Sequence, residues 1–267
     1  MQTSVGTPRV AHRAAANARQ PATVQADAAE VQSTMYDCFL RLSRGLRHAR
    51  GVAAESPIQR MFGLDVSERV VCARCAKATH VLSYSTFFHI VHAASLRAAA
   101  AAAPAASFEQ RLASILGEDC TGCDTDVGGC GRPTPISHAL TRQPEVFTIS
   151  LAWESNAASE EEVATTLAAL SPVLQPLRVY ASSEAPPEGA LKYELRGMVC
   201  YYGSHYASFV RTDTRDAFGF APPGPASWTK VDDASVSEVG SWEALRDACA
   251  RGHLQPTVLF YERTMSF

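Results

Sequence analysis

The sequence predicts an α+β protein, and three observations carry that prediction. Segments with helix signatures, such as residues 159–170 and 241–250, have caps at one end and apolar residues at helical spacing. β-rich runs occupy much of the remainder, from residues 57–71 to the apolar run 256–261. Two of these runs flank Gly203-Ser204, with His205 opening the second. No internal repeat is visible.

A chain of 267 residues can bury one sizeable core, or one core plus a smaller module. Its net charge of −3 gives no electrostatic footprint for nucleic acid or an acidic membrane. No apolar run approaches the length of a membrane span, and residues 1–25 lack a hydrophobic signal core. Eight cysteines in that setting suggest a reducing compartment, where paired cysteines are more often metal ligands than disulfides. The location expected is intracellular, cytoplasmic or nuclear.

Residues 1–25 hold Arg9, Arg13, Arg19 and many alanines, and are read as a disordered leader. Asp27 and Glu30 fit a capping box, after which Val31, Met35, Cys38, Leu42 and Leu46 recur at helical spacing. Residues 57–71 turn strand-like, with Leu64, Val66 and Val70 alternating against polar neighbours, and 79–92 are again β-rich. The alanine run 95–103 extends a helix that Pro104 stops. Ser107 caps the next helix, with Gln110 at its third position and Leu112, Ile115 and Leu116 facing inward. Residues 146–153 form a strong strand. Ser159 and Glu162 open a helix that buries Val163, Leu167 and Leu170, and 174–179 read as a short strand. Residues 185–189 and 218–225 are turn-rich loops, and Gly252 ends a helix over 241–250.

Two constellations carry chemistry. The knuckle Cys72-Ala-Arg-Cys75 has the two-residue gap that a tetrahedral zinc site uses. Its partner pair is Cys123 with Cys130, or Cys120 with Cys123; spacing alone favours the latter. Four filled positions would make the metal structural. The second constellation is His205 followed by Asp232 and Asp233. A histidine on a strand edge, with a carboxylate to hold its imidazole, is the acid–base half of a Cys-His-Asp site.

The ordered series of Gly203-Ser204-His205-Tyr206, Trp228-Thr-Lys-Val-Asp232-Asp233 and Gly252 to Tyr261 resembles the C-terminal half of ubiquitin-specific proteases. Within that family it looks most like the plant ubiquitin carboxyl-terminal hydrolase-related proteins. The resemblance runs from about Asp27 onward. Ser204 departs from the glycine that usually precedes the histidine, and Val231 from the common phenylalanine.

The resemblance implies a papain-like α+β fold with palm and zinc-bearing fingers sheets and an incomplete helical thumb. It divides residues 26–267 into a thumb helix at 26–56, a fingers region at 57–135 and a palm at 136–267. It selects Cys72, Cys75, Cys123 and Cys130 as zinc ligands, because the relatives read similarly as Cys-Asp-x-x-x-Gly-Gly-Cys-Gly. It gives His205, Asp232 and Asp233 the catalytic places and makes ubiquitin and ubiquitinated proteins the partners. The activity implied is hydrolysis of ubiquitin isopeptide bonds by a cysteine-type deubiquitinase of which this chain is the C-terminal portion.

The nucleophile is not where the family puts it. Tyr36-Asp-Cys38 superficially resembles the nucleophile box, yet no Gly-Asn turn precedes it. Cys38 falls about three turns into the predicted helix, and its spacing to Met35 and Leu42 marks it as a core position. The rival reading is therefore a catalytically dead, ubiquitin-binding pseudoenzyme. A third is a zinc-stabilised interaction module.

Overall fold

The computed structural model describes residues 28, 30–38, 41, 56–180, 191–212 and 226–264. The expected leader at 1–25, Asp27, Leu42, Leu46 and the expected loops at 185–189 and 218–225 lie outside them. Two sheets make up the architecture. A small antiparallel sheet has the order β2-β1-β5-β4, from β1 (Leu64–Val71), β2 (Ala78–Thr86), β4 (Cys120–Gly122) and β5 (Pro133–Arg142).

The large sheet has the order β11-β10-β9-β8-β12-β6-β3, with β7 on a second site of β8. Its strands are β3 (His89–His92), β6 (Val146–Ala152), β7 (Val173–Leu174), β8 (Tyr193–Tyr202), β9 (His205–Thr212), β10 (Ser227–Asp232), β11 (Ser235–Gly240) and β12 (Gln255–Arg263). All neighbours pair antiparallel except β3 and β6, which run parallel. β12 sits in the middle and is buried from Gln255 to Leu259. Pro256 is tolerated there because the register slips between Pro256 and Val258, and a bulge needs no ladder N–H at the proline.

The predicted run 79–92 proves to be two strands in two sheets. The chain leaves β2 after Thr86 and joins the large sheet at His89. The helices lie among these strands: α1 over residues 30–38, α2 (Pro57–Phe62), α3 (Ala93–Ala102), α4 (Phe108–Leu116), α5 (Glu160–Ala169), α6 (Pro176–Val179) and α7 (Trp242–Arg251). The capping boxes at Ser107/Gln110 and Ser159/Glu162 form as expected, each satisfying two otherwise unpaired N–H groups. Ser241 caps α7 and Gly252 ends it. Two strand expectations shorten. Pro57 and Pro176 each start a helical turn, because a proline at the first helical position loses no hydrogen bond.

The core gathers Phe147, Ile149, Leu151, Val163, Leu167, Tyr193, Leu195, Phe209, Leu245, Leu259 and Tyr261, all fully buried. Burying a large apolar side chain contributes on the order of 2–3 kcal/mol, so this cluster dominates the stability of the large sheet. Among the described residues no helix is long and apolar enough to cross a membrane.

Polar groups are buried alongside that core, His89 among them. His89 packs between Phe147 and Tyr180 and meets the Tyr180 hydroxyl through Nδ1 at 2.8 Å. Burial, and then the nearby His138, push its pKa down from 6.5 to about 4. The folded state thus resists a proton that the unfolded state accepts readily. The stability from keeping His89 neutral is full above pH 6.5 and is lost as pH falls toward 4, on the order of 3 kcal/mol. Urea denaturation across pH 7 to 4 should show this fall, and His89→Gln should flatten it in that window.

Candidate functional site

Antiparallel pairing decides where the cysteines meet. β1 runs into the Cys72–Cys75 knuckle before β2, and β4 runs into the loop holding Cys123 and Cys130 before β5. Because β5 pairs antiparallel with β1, Val70 opposite Ile136, both connections emerge at one end of the small sheet. There the sulfurs of Cys72, Cys75, Cys123 and Cys130 converge within 4.8 Å of one another. Cys72 Sγ stands 3.5 Å from Cys130 Sγ, and Cys75 Sγ 3.6 Å from Cys123 Sγ. Four sulfurs at about 2.3 Å from a tetrahedral zinc would stand about 3.8 Å apart, so the group fits such an ion. Cys120, the residue that spacing alone favoured, lies exposed on β4 outside the group.

The local fold serves this convergence. The Cys130 N–H donates to Cys123 Sγ at 3.3 Å, and Lys77 Nζ donates to the Val127 carbonyl at 3.0 Å, tying one knuckle to the other. The backbone N–H groups of Cys75 and Arg74 lower the Cys72 thiol to about 6. At Cys123 the Cys130 N–H acts downward too, but burial and the neighbouring thiols win and raise it to about 11. Several thiolates this close repel one another unless a divalent cation sits among them. Gly129 is obligatory here: a Cβ would stand 2.3 Å from the Asp124 carbonyl and 2.6 Å from Cys123 Sγ. Gly129→Ala should therefore weaken Co²⁺ binding about tenfold or more, read from the absorption band of tetrahedral cobalt–thiolate.

The second constellation lies on the far strands of the large sheet. Gly203 and Ser204 both have positive φ, 49° and 73°, as a two-residue primed turn requires. The turn sets Tyr202 opposite His205. Ser204 holds that conformation against its own Cβ, and its N–H donates to the Tyr201 hydroxyl at 3.2 Å. Ser204→Gly should thus stabilise the fold by about 1 kcal/mol in urea denaturation.

β10 pairs with β9, and its last residue, Asp232, meets the histidine. His205 Nε2 stands 2.7 Å from Asp232 Oδ1. This leaves Nδ1 as the nitrogen able to exchange a proton with a reacting group. The other carboxylate oxygen accepts from Lys230 Nζ at 2.8 Å and from the Tyr202 hydroxyl at 3.0 Å. Lys230 foremost, then His205, hold the Asp232 carboxyl down at about 2, so it stays ionised. Asp233 occupies the β10–β11 turn at φ 51° and is 81% exposed, its Oδ2 3.8 Å from His205 Nε2. The structure thus brings together all three residues expected there. The reading from sequence missed Tyr202 and Lys230. Their signals were position: across the hairpin from His205, and two residues before Asp232 on one strand face.

The cysteines do not complete the constellation. Among the described residues, His205 hydrogen-bonds no thiol. Cys200 and Cys249 are fully buried, and burial raises the Cys200 thiol well above its ordinary value. Cys38 corrects the core expectation: it is exposed, and α1 instead buries Tyr36, which stacks on Phe62 at 4.8 Å and meets Phe87 edge-on at 4.9 Å. Helical spacing identified an amphipathic helix but assigned its buried face to the wrong residues.

A two-sheet α+β chain with four cysteines gathered at one end and a His–Asp hairpin is the frame of a thiol-protease relative. Residues 2–261 match the family described as ubiquitin carboxyl-terminal hydrolase, and the chain belongs to that family. It is 28% identical over 211 residues to ubiquitin carboxyl-terminal hydrolase 54 of Mus musculus and 27% over 209 to hydrolase 53 of Homo sapiens. Each match covers 75% of this chain, which spans only 12% of the mouse and 18% of the human protein.

Among solved structures, the SAGA Ubp8/Sgf11/Sus1/Sgf73 DUB module bound to ubiquitin aldehyde aligns with a TM-score of 0.58 and 14% identity. That alignment covers 91% of this chain and 50% of that one. The PAN2 pseudoubiquitin-hydrolase of Saccharomyces cerevisiae aligns at 0.51 and 13%, over 86% and 65%. At such identities the likeness is one of fold, and it bears out the α+β ubiquitin-specific protease architecture expected from the sequence.

Proposed function

We propose that this chain supplies the acid–base half and the ubiquitin-holding sheets of a deubiquitinase catalytic domain. The 2.7 Å contact between His205 Nε2 and Asp232 Oδ1 carries the reading. In it, His205 Nδ1 takes the proton of a cysteine thiol and later gives it to the leaving lysine amine, while Asp232 holds the ring's orientation. Asp233 adds a second negative charge at the exposed side of the ring. Cys72, Cys75, Cys123 and Cys130 would hold a structural zinc that cross-links the two knuckles; with four protein ligands it has no open position for water. Ubiquitin is the proposed partner, supported by family membership and by the fold shared with a module whose structure is bound to ubiquitin aldehyde.

Hydrolysis needs a thiolate at His205, and none of the eight cysteines in these 267 residues stands there. That observation favours a second reading, a ubiquitin-binding protein without hydrolytic activity, for the chain acting alone. Without a nucleophile no acyl-enzyme forms, and His205 with Asp232 could only position water. Titration of the labelled chain with mono-ubiquitin should shift amide signals in both sheets. The same preparation should neither release a fluorophore from a ubiquitin C-terminal amide nor be labelled by a thiol-reactive ubiquitin probe. A folded chain showing no shift at high ubiquitin concentration would refute the partner. An adduct mapped to any of the eight cysteines would refute the silence.

A further inference from the structure

We infer that Lys230 and Tyr202 are positioning residues that fix the Asp232 carboxylate in one orientation and, through it, select the Nε2–H tautomer of His205. The inference rests on the acid–base reading of His205 and deepens it.

A carboxylate has two equivalent oxygens and can rotate to exchange them. At Asp232 the oxygens are made inequivalent. Oδ2 accepts from Lys230 Nζ at 2.8 Å and Tyr202 Oη at 3.0 Å, and only Oδ1, at 2.7 Å, is left to His205 Nε2. Charge-assisted hydrogen bonds are about twice as strong as neutral ones, so rotation would break the strongest contact of the group.

The two residues also brace each other. Lys230 Nζ stands 5.6 Å from the centroid of the Tyr202 ring, a cation–π distance, and the Tyr202 ring meets the His205 ring edge-on at 5.2 Å. Both placements follow from strand geometry. Tyr202 is the cross-strand partner of His205, and Lys230 shares a face of β10 with Asp232.

The other titratable groups nearby make this bracing necessary. Asp233 brings a like charge to within 3.8 Å of the imidazole and would compete for it. The buried thiols of Cys200 and Cys249 lie within electrostatic reach of Lys230 and offer the carboxylate no donor. With Lys230 and Tyr202 satisfied on Oδ2, Asp232 stays ionised and aimed, and His205 keeps its Nδ1 lone pair free. Neither Lys230 nor Tyr202 needs to touch a substrate for this.

The test is spectroscopic and needs neither ubiquitin nor a nucleophile. Failure of the deubiquitinase reading would therefore show in the ubiquitin titration and leave these signals unmoved. Long-range proton–nitrogen spectra of the full chain with labelled histidine, assigned by their loss in His205→Asn, report the tautomer. Carboxyl carbon shifts report the Asp232 midpoint. The wild type should show neutral His205 protonated at Nε2.

Lys230→Met should raise the Asp232 midpoint by roughly one to two pH units and populate the Nδ1–H tautomer. Tyr202→Phe should shift both readouts the same way by less, and Lys230→Arg should restore them. A folded Lys230→Met chain with both readouts unchanged overturns the inference. Should Lys230→Met fail to fold, Tyr202→Phe, which removes a single oxygen, decides it on the same two readouts.

Discussion

The pairing of β12 between β8 and β6 is the constraint on which the rest of the structure depends. Its side chains fill the centre of the core, and its backbone sets the register of β8. β8 fixes β9 through the Gly203-Ser204 turn, and β9 fixes β10. The relation of His205 to Asp232 is thus the outcome of three successive ladders, the first bulged at two places and the other two in continuous register from β8 to β10. A slip of one residue anywhere along this series would turn His205 or Asp232 to the opposite face.

The small sheet is built on a different balance. It contributes Leu64, Val66, Val70 and Leu140 to the buried apolar set, together with buried polar groups such as Thr134 and His138. His138 is held by Glu68 at 3.4 Å and Asp119 at 3.7 Å rather than by apolar neighbours alone. A sheet with so few large apolar side chains has little to stabilise its far end. A metal bound by four thiolates typically contributes on the order of 10–16 kcal/mol, more than the apolar side chains of this end could. If the four cysteines hold such an ion, the far end of the small sheet leans on it, while Leu64, Val66 and Leu140 tie the rest of that sheet into the common apolar core.

Much of this was legible wherever a local rule fixes a local geometry. The boxes at Ser107/Gln110 and Ser159/Glu162 needed only their own residues to form. The break at Gly203-Ser204 was legible from the β-rich runs on either side of it, and the structure closes it as a turn with positive φ at both residues. Features decided by pairing were not. Nothing in the alternation of residues 79–92 says that two sheets share it, since a two-residue period is the same in both. β11 was missed because it is largely exposed and its two valines, Val236 and Val239, stand three apart and make no two-residue alternation. Cys38 was misplaced because the buried side of α1 is chosen by Phe62, Phe87 and Phe88, which lie elsewhere in the chain. The choice between Cys120 and Cys130 went beyond knuckle spacing, because a six-residue loop closed by Gly129 brings Cys130 back to Cys123.

The chain crosses between the sheets three times. Two residues join β2 to β3 and three join β5 to β6, while the return from β3 to β4 runs through α3 and α4. Tyr36 packs over the first of them, against Phe87 and Phe88. Because the chain passes between the sheets three times and Leu64, Val66 and Leu140 join the apolar cluster of the large sheet, the two sheets are parts of one folded body and not domains hung on a single linker. A partner that touched both would meet a spacing set by the core beneath it and not by a hinge.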